Sequence, residues 1–185
     1  MKETLKITSV LTSVCVICAF FLSFVYNAAS EKIELNAKKA INDAIITLAP
    51  SAVTINETAI GNSVIYKLLD KKNIFIGYAF IAQGQGYQGK IIILAVTDSA
   101  FKAIQGIEII ESVETPGLGA KINESSFKGQ FKNLNSAEKF KCVQSASENH
   151  SQIQAITGAT VSSRAVVNIL NTRIEELKKL LNLNK

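Results

Sequence analysis

From Ile7 to Tyr26 the chain carries no charged residue. That run is about as long as a helix must be to cross the hydrocarbon core of a bilayer, and in lipid a helix satisfies its own backbone. Beyond it the pattern changes rather than stops. Ile33, Ala37, Ala40, Ile41, Ala44, Ile45 and Leu48 recur at three- and four-residue steps, which predicts a helix with one apolar face running on to Pro50. A cleaved signal peptide is the competing reading, because Ala28-Ala29-Ser30 supplies small residues after the apolar run. The length of the apolar run and the continuing helix favour a retained anchor. The expected division is a membrane anchor over 1–27, a juxtamembrane helix over 28–50 and a folded domain over 51–185. Lys2 and Lys6 precede the span, while Lys32, Lys38 and Lys39 follow it among Glu31, Glu34 and Asp43, so the balance of positive charge hardly sets an orientation. The very short tail before a signal-like segment favours N-terminus in, domain out.

After Pro50 the period falls to two. Strands are expected at 52–56, 63–69, 74–82, 90–98 and 103–112, with Lys71-Lys72-Asn73 as a tight turn. Ile91–Val96 is continuously apolar, so it should lie at the centre of the sheet. Gly84, Gly86 and Gly89 predict an irregular connection before it. Short elements are expected near 123–132 and 137–143. A long helix over 159–181 follows, with Val166, Ile169, Leu170, Ile174, Leu177, Leu180 and Leu181 as its apolar stripe. The fold class is α+β: an N-terminal transmembrane helix, then a mainly antiparallel sheet packed with helices.

Composition narrows the chemistry. The net charge of +5 comes from lysines and arginines interleaved with glutamates, and there is no Trp. Without aromatic platforms between basic clusters this reads as a solvated surface, not a nucleic-acid site. Cys15 and Cys18 lie in the apolar run, where small packing residues are the simpler reading. Cys142 is then the one thiol of the soluble part and His150 the one histidine of the chain, too few for a disulfide framework or a His-rich or Cys₂His₂ metal site.

Two motifs remain. Thr157-Gly158-Ala159-Thr160-Val161-Ser162-Ser163 opens the last helix. Hydroxyl residues are expected there simply as caps. The same position offers unpaired N–H groups and a partial positive charge, a seat for a phosphate. Val113-Glu114-Thr115-Pro116-Gly117-Leu118-Gly119 is a loop, stiffened by Pro and turned by Gly. It is either a plain turn or a rigid backbone that meets the edge of a flat polar heterocycle.

Glu114–Gly119 and Ile156–Val166, in this order, together resemble the covalent-FMN-binding domain of the G subunit of the Rnf electron-transport complex, which the C subunit of the sodium-translocating NADH:quinone reductase also resembles. Gly86-Tyr87-Gln88-Gly89 matches a third segment, and the likeness spans nearly the whole chain. The resemblance implies an FMN joined through its phosphate to Thr160 by a separate flavin transferase that uses FAD and a divalent metal. It implies a domain on the outer face of the cytoplasmic membrane, a single anchor in lipid, and other membrane subunits as partners in a complex that couples ferredoxin and NAD oxidation–reduction to ion movement. Thr157, Gly158, Ala159 and Ser162 would surround the attachment point. Glu114, Thr115, Gly117, Leu118 and Gly119 would line the ring or the ribityl chain. Tyr87 either stacks near the flavin or sits in the core, Ser162 either binds the phosphate or caps the helix, and Lys121 is a lesser candidate for balancing charge. The family pattern usually has Asp where this chain has Gln154, often His where it has Ser112, and often an acidic residue where it has Ala120. No catalytic constellation is visible, as suits a protein whose cofactor does the chemistry. The compact length tilts the reading toward the Rnf protein over its quinone-reductase counterpart. A pilin-like structural protein lacks its leader here, and an anchored sensor or binding module leaves both motifs as coincidences.

Overall fold

The computed structural model describes residues 2–61, 63–145 and 151–181. The chain divides into two units, residues 1–40 and 41–185. The first is the greater part of helix α1 (Lys2–Leu48). Its most apolar 18-residue window has a mean hydropathy of 2.3 and is not buried at all, so the helix is long and apolar enough to cross a membrane. Leu11, Val16, Phe20, Phe21, Leu22 and Tyr26, which the helical repeat distributes around the whole circumference, are all exposed. Apolar residues on every side of an uncovered helix suit a lipid surround, where a core helix would show one stripe.

The second unit is built on a six-stranded antiparallel meander with its strands in chain order. They are β1 (Thr54–Ile60), β2 (Ser63–Leu69), β3 (Phe75–Gln85), β4 (Lys90–Asp98), β5 (Ala103–Ser112) and β6 (Leu134–Asn135). Side chains alternate across such a sheet, and β4 shows why its sequence is apolar throughout. Ile91, Ile93 and Ala95 belong to one core with Phe127, Phe131, Val166, Leu170 and Leu177. Leu94 and Val96 belong to another with Ala44, Ile45, Ala49, Leu68 and Ala79. The last turns of α1 therefore cover one face, while α2 (Ser125–Lys128) and α3 (Thr160–Leu180) cover the other. The Lys71–Asn73 turn forms as expected: the Asp70 carboxylate accepts from the N–H groups of Lys72 (2.7 Å) and Ile74 (2.8 Å), and Asn73 takes a φ of 58°.

The differences from expectation lie where polar residues hide a strand. β1 starts and ends later than its apolar signal suggests, because Asn56 and Glu57 face solvent at the sheet edge yet pair with Lys67 and Tyr66. β3 runs past Ala82 to Gln85, so Gly84 is a strand residue. A Cβ there would stand 2.6 Å from Ile169 Cγ1, so glycine lets α3 cross the sheet closely. Two short strands, β7 (Lys141–Val143) and β8 (Gln152–Gln154), pair in parallel. On α3 the stripe holds through Leu177, while Leu180 is 46 % exposed and Val167 joins the buried face. His150 lies outside the described residues.

Candidate functional site

The turn into α3 is tied from below by one hydroxyl. Ser163 Oγ accepts from the Ile156 N–H (3.1 Å) and donates to the Ala159 carbonyl (2.9 Å), and the Ala159 N–H closes on the Ile156 carbonyl (2.9 Å). Gly158 has a φ of 80°, a backbone state that suits glycine. The residue before the helix is Ala159, and no side chain caps this end. Two of the hydroxyls that suggested capping, those of Ser162 and Ser163, have other uses. The first bond of the helix runs from the Ser163 N–H to the Ala159 carbonyl (3.0 Å). The amides of Thr160, Val161 and Ser162 precede it, so the positive end of the helix dipole opens at Thr160.

The Pro-Gly loop folds onto Thr115, whose carbonyl accepts from the N–H groups of Leu118 (3.2 Å) and Ala120 (3.0 Å), with Gly117 at a φ of 76°. Glu114 is buried, its exposure being 5 %. Its Oε2 accepts from Ser162 Oγ (2.5 Å) and its Oε1 from the Gln88 N–H (3.1 Å). A neighbouring bond joins Thr115 Oγ1, as donor, to Gln88 Oε1 (2.7 Å). Two glycines make room for that carboxylate. A Cβ on Gly86 would strike Oε1, and one on Gly119 would stand 2.5 Å from Oε2 and 2.8 Å from Ser162 Oγ. The three motifs, far apart in sequence, thus meet at one buried side chain.

Beside this junction lies a cleft of about 320 Å³ lined by Tyr87, Glu114, Thr115, Leu118, Gly119, Gly158, Ala159, Thr160, Val161 and Ser162. Every cofactor-binding residue expected from the sequence lines it except Thr157, which is exposed at the turn, and Gly117, which shapes the loop. Tyr87 is 69 % exposed and so is not a core tyrosine. Ser162 is buried against Glu114 and caps nothing. Val161 is an addition that sequence reasoning missed. It follows Thr160 in a helix whose first turn rims the cleft, and an apolar residue on the polar side of an amphipathic helix was the available signal. Lys121 is exposed and does not line the cleft. Gln154 also lies off it, its N–H and carbonyl held by the Gln130 side chain (2.7 and 3.2 Å). Ser112 Oγ accepts from the Glu114 N–H at 3.4 Å.

The residues fit a flat heterocycle that carries a phosphate, as FMN does. The volume falls within the roughly 300–1,000 Å³ of small-molecule sites. Leu118 (49 % exposed), Val161 and Tyr87 offer apolar surface that water covers poorly. The half-buried Thr160 stands at an uncapped helix N-terminus, where an anion is stabilised. Among the described residues no group of three or more His, Cys, Asp or Glu could hold a metal ion.

The FMN-binding domain family matches residues 86–175, a range that spans both loops and most of α3. The chain is 32 % identical to the G subunit of the ion-translocating oxidoreductase complex of Methanosarcina acetivorans over 182 residues, covering 94 % of each chain. It is also 32 % identical to the G subunit of the proton-translocating ferredoxin:NAD(+) oxidoreductase complex of Clostridium ljungdahlii, covering 92 % of this chain and 90 % of that one. Two crystal structures share the fold. One is NqrC from Shewanella oneidensis (TM-score 0.54, 17 % identity, 71 % of this chain and 73 % of that one). The other is the C subunit of the Na(+)-translocating NADH-quinone reductase from Parabacteroides distasonis (TM-score 0.55, 22 % identity, 66 % and 63 %). With matches over more than nine tenths of the chain, and with both loops of the cleft inside the matched domain, the chain belongs to the family of G subunits of ion-translocating oxidoreductase complexes, and it contains an FMN-binding domain.

Proposed function

We infer that the chain is the membrane-anchored flavoprotein of an Rnf-type complex and that its FMN is held by a phosphoester to Thr160 Oγ1. The observation that carries this is the hydroxyl's place: first residue of an uncapped helix, half-buried, at the rim of the cleft where the three motifs meet. When bound, FMN supplies the electron-accepting ring, and the protein's residues do the rest. The first-turn amides of α3 stabilise the phosphodiester charge. Gly158 and Ala159 keep the backbone close to it without crowding. Thr115, Leu118 and Gly119 form one wall, and Tyr87 and Val161 shield the opening from water. No general acid or base is required, because electron transfer needs position and potential.

The relatives' names place them in ion-translocating complexes, which supports other membrane subunits as partners here. A single retained α1 anchor in lipid, the domain on the outer face of the cytoplasmic membrane and maturation by a flavin transferase complete the reading. Membership in the quinone-reductase complex is the second reading, supported by the shared fold; the match to the G subunit over 94 % of each chain favours the first. The test is expression with and without a flavin transferase, followed by denaturing electrophoresis and in-gel flavin fluorescence. Fluorescence that needs the transferase and disappears in Thr160→Ala is expected. Fluorescence persisting in Thr160→Ala would move the site, and none in the native host would sink the covalent-flavin reading.

A further inference from the structure

The Glu114 carboxylate sits where a polar group is costly, and every part of its surroundings is arranged for it. It is 5 % exposed, and both its oxygens have a donor: Ser162 Oγ at 2.5 Å and the Gln88 N–H at 3.1 Å. Glycine stands at 86 and 119, the two positions where a Cβ would strike those oxygens. Among the described residues no Lys, Arg or His forms an ion pair with it. Its charge is therefore balanced only by hydrogen bonds and by the positive end of α3, which it reaches through the third residue of that helix. A buried carboxylate accepting two bonds is rigid, and losing either donor leaves an oxygen desolvated and unmatched.

We propose that Glu114 is a positioning residue that acts through Ser162. Its carboxylate locks the first turn of α3 to the 86–89 and 114–119 loops, so that Thr160 faces the cleft, and its charge keeps the potential of the bound flavin low. This rests on the reading that FMN is joined at Thr160. The lock accounts for three features at once: a buried acid without a cation, a serine at the third helical position that caps nothing, and glycines on both flanks. The effect on potential follows from charge alone. An added electron next to a buried carboxylate is disfavoured, and more so in a poorly solvated site than in water.

The test compares Glu114→Gln, Glu114→Ala and Ser162→Ala in the full chain, expressed with a flavin transferase and, separately, without one. Without flavin, Glu114→Ala and Ser162→Ala should speed amide hydrogen exchange at Ser163, the first amide bonded within α3, and at the amides that follow it in that turn. With the transferase they should lower the flavin-loaded fraction several-fold. Glu114→Gln, whose amide still accepts from Gln88 N–H and can donate to Ser162 Oγ, should load better than Glu114→Ala. It should also raise the midpoint potential of the loaded flavin, which a purely structural role would not do. If Glu114→Ala fails to fold, the glutamine and Ser162→Ala variants carry the comparison. A wild-type protein loaded at Thr160 with all three variants matching it in exchange and loading, or with the glutamine variant at an unchanged potential, overturns this proposal alone. A wild-type flavin attached elsewhere, or absent, overturns the Thr160 reading and this proposal with it.

Discussion

The two ends of α3 make opposite use of the same kinds of residue. Along its C-terminal half the polar groups are taken up by the chain itself. Asn171 Oδ1 accepts from the Phe140 N–H (2.8 Å) and its amide donates to the Phe140 carbonyl (2.9 Å). Lys178 donates to the Ser136 carbonyl, and burial pushes its ammonium below the ordinary lysine range, with Asp98 partly offsetting that. Glu175 accepts from Lys139 (2.9 Å) and Lys179 (3.1 Å). The hollow there, about 190 Å³, is bordered by these satisfied groups. At the N-terminal end no side chain caps the helix, and the hollow is larger, about 320 Å³. Ser163 is spent beneath the turn and Ser162 on Glu114, leaving the first-turn amides without a side-chain cap. One end is closed for stability, and the other keeps the donors that the proposed flavin phosphate would use.

The sharpest way to break this contrast is Thr160→Ala, which should abolish covalent flavin while shifting folding stability by no more than about 0.5 kcal/mol, as for a partly exposed residue without packing duties. In-gel fluorescence and urea denaturation read the two effects. Next in size is Gly119→Ala, whose Cβ would fall 2.5 Å from Glu114 Oε2. Forcing that slot should cost about 1–3 kcal/mol and lower flavin loading as well, so both readouts move together. Asn171→Ala should do the reverse of Thr160→Ala: a similar loss of about 1–3 kcal/mol from stranding the Phe140 backbone groups, with flavin per mole of protein unchanged. Equal flavin loss in Asn171→Ala and Gly119→Ala would erase the difference between the ends. The smallest effect is electrostatic. The hydrogen bond from Lys139, then that from Lys179, holds the Glu175 carboxyl below its ordinary value of 4.5. A depressed carboxylate favours the folded state above the ordinary value, and that contribution is lost as pH falls through the lowered one. Lys139→Ala should therefore flatten the acid limb of a stability profile slightly, and added salt should hide the change.

How far the sequence reveals this protein varies by element. The long apolar helix α1, the central strand β4 and the stripe of α3 are legible because each has one dominant chemistry: an uncovered apolar surface, two buried faces, one buried face. β8 and the end of β3 are not, because Gln152–Gln154 and Gln83–Gln85 pair through backbone groups that every residue has. At the candidate site, the Thr157–Thr160 turn and both loops are readable as motifs. Their junction is not. That Glu114 reaches Ser162 across 48 positions, and that Gly86 is small for the sake of Glu114, are facts of three-dimensional packing. Capping is a reasonable reading of the Thr-Gly-Ala-Thr turn from sequence, and it gives way because Ser163 bonds the turn instead of the helix end.

Mass spectrometry of the tryptic peptide Cys142–Arg164, taken from protein purified out of its native membrane, tests the central claim most directly. The peptide should be heavier by one FMN less one water, with fragmentation placing the addition on Thr160 and not on Thr157, Ser162 or Ser163. An unmodified peptide, or an addition fixed to one of those other hydroxyls, would contradict it.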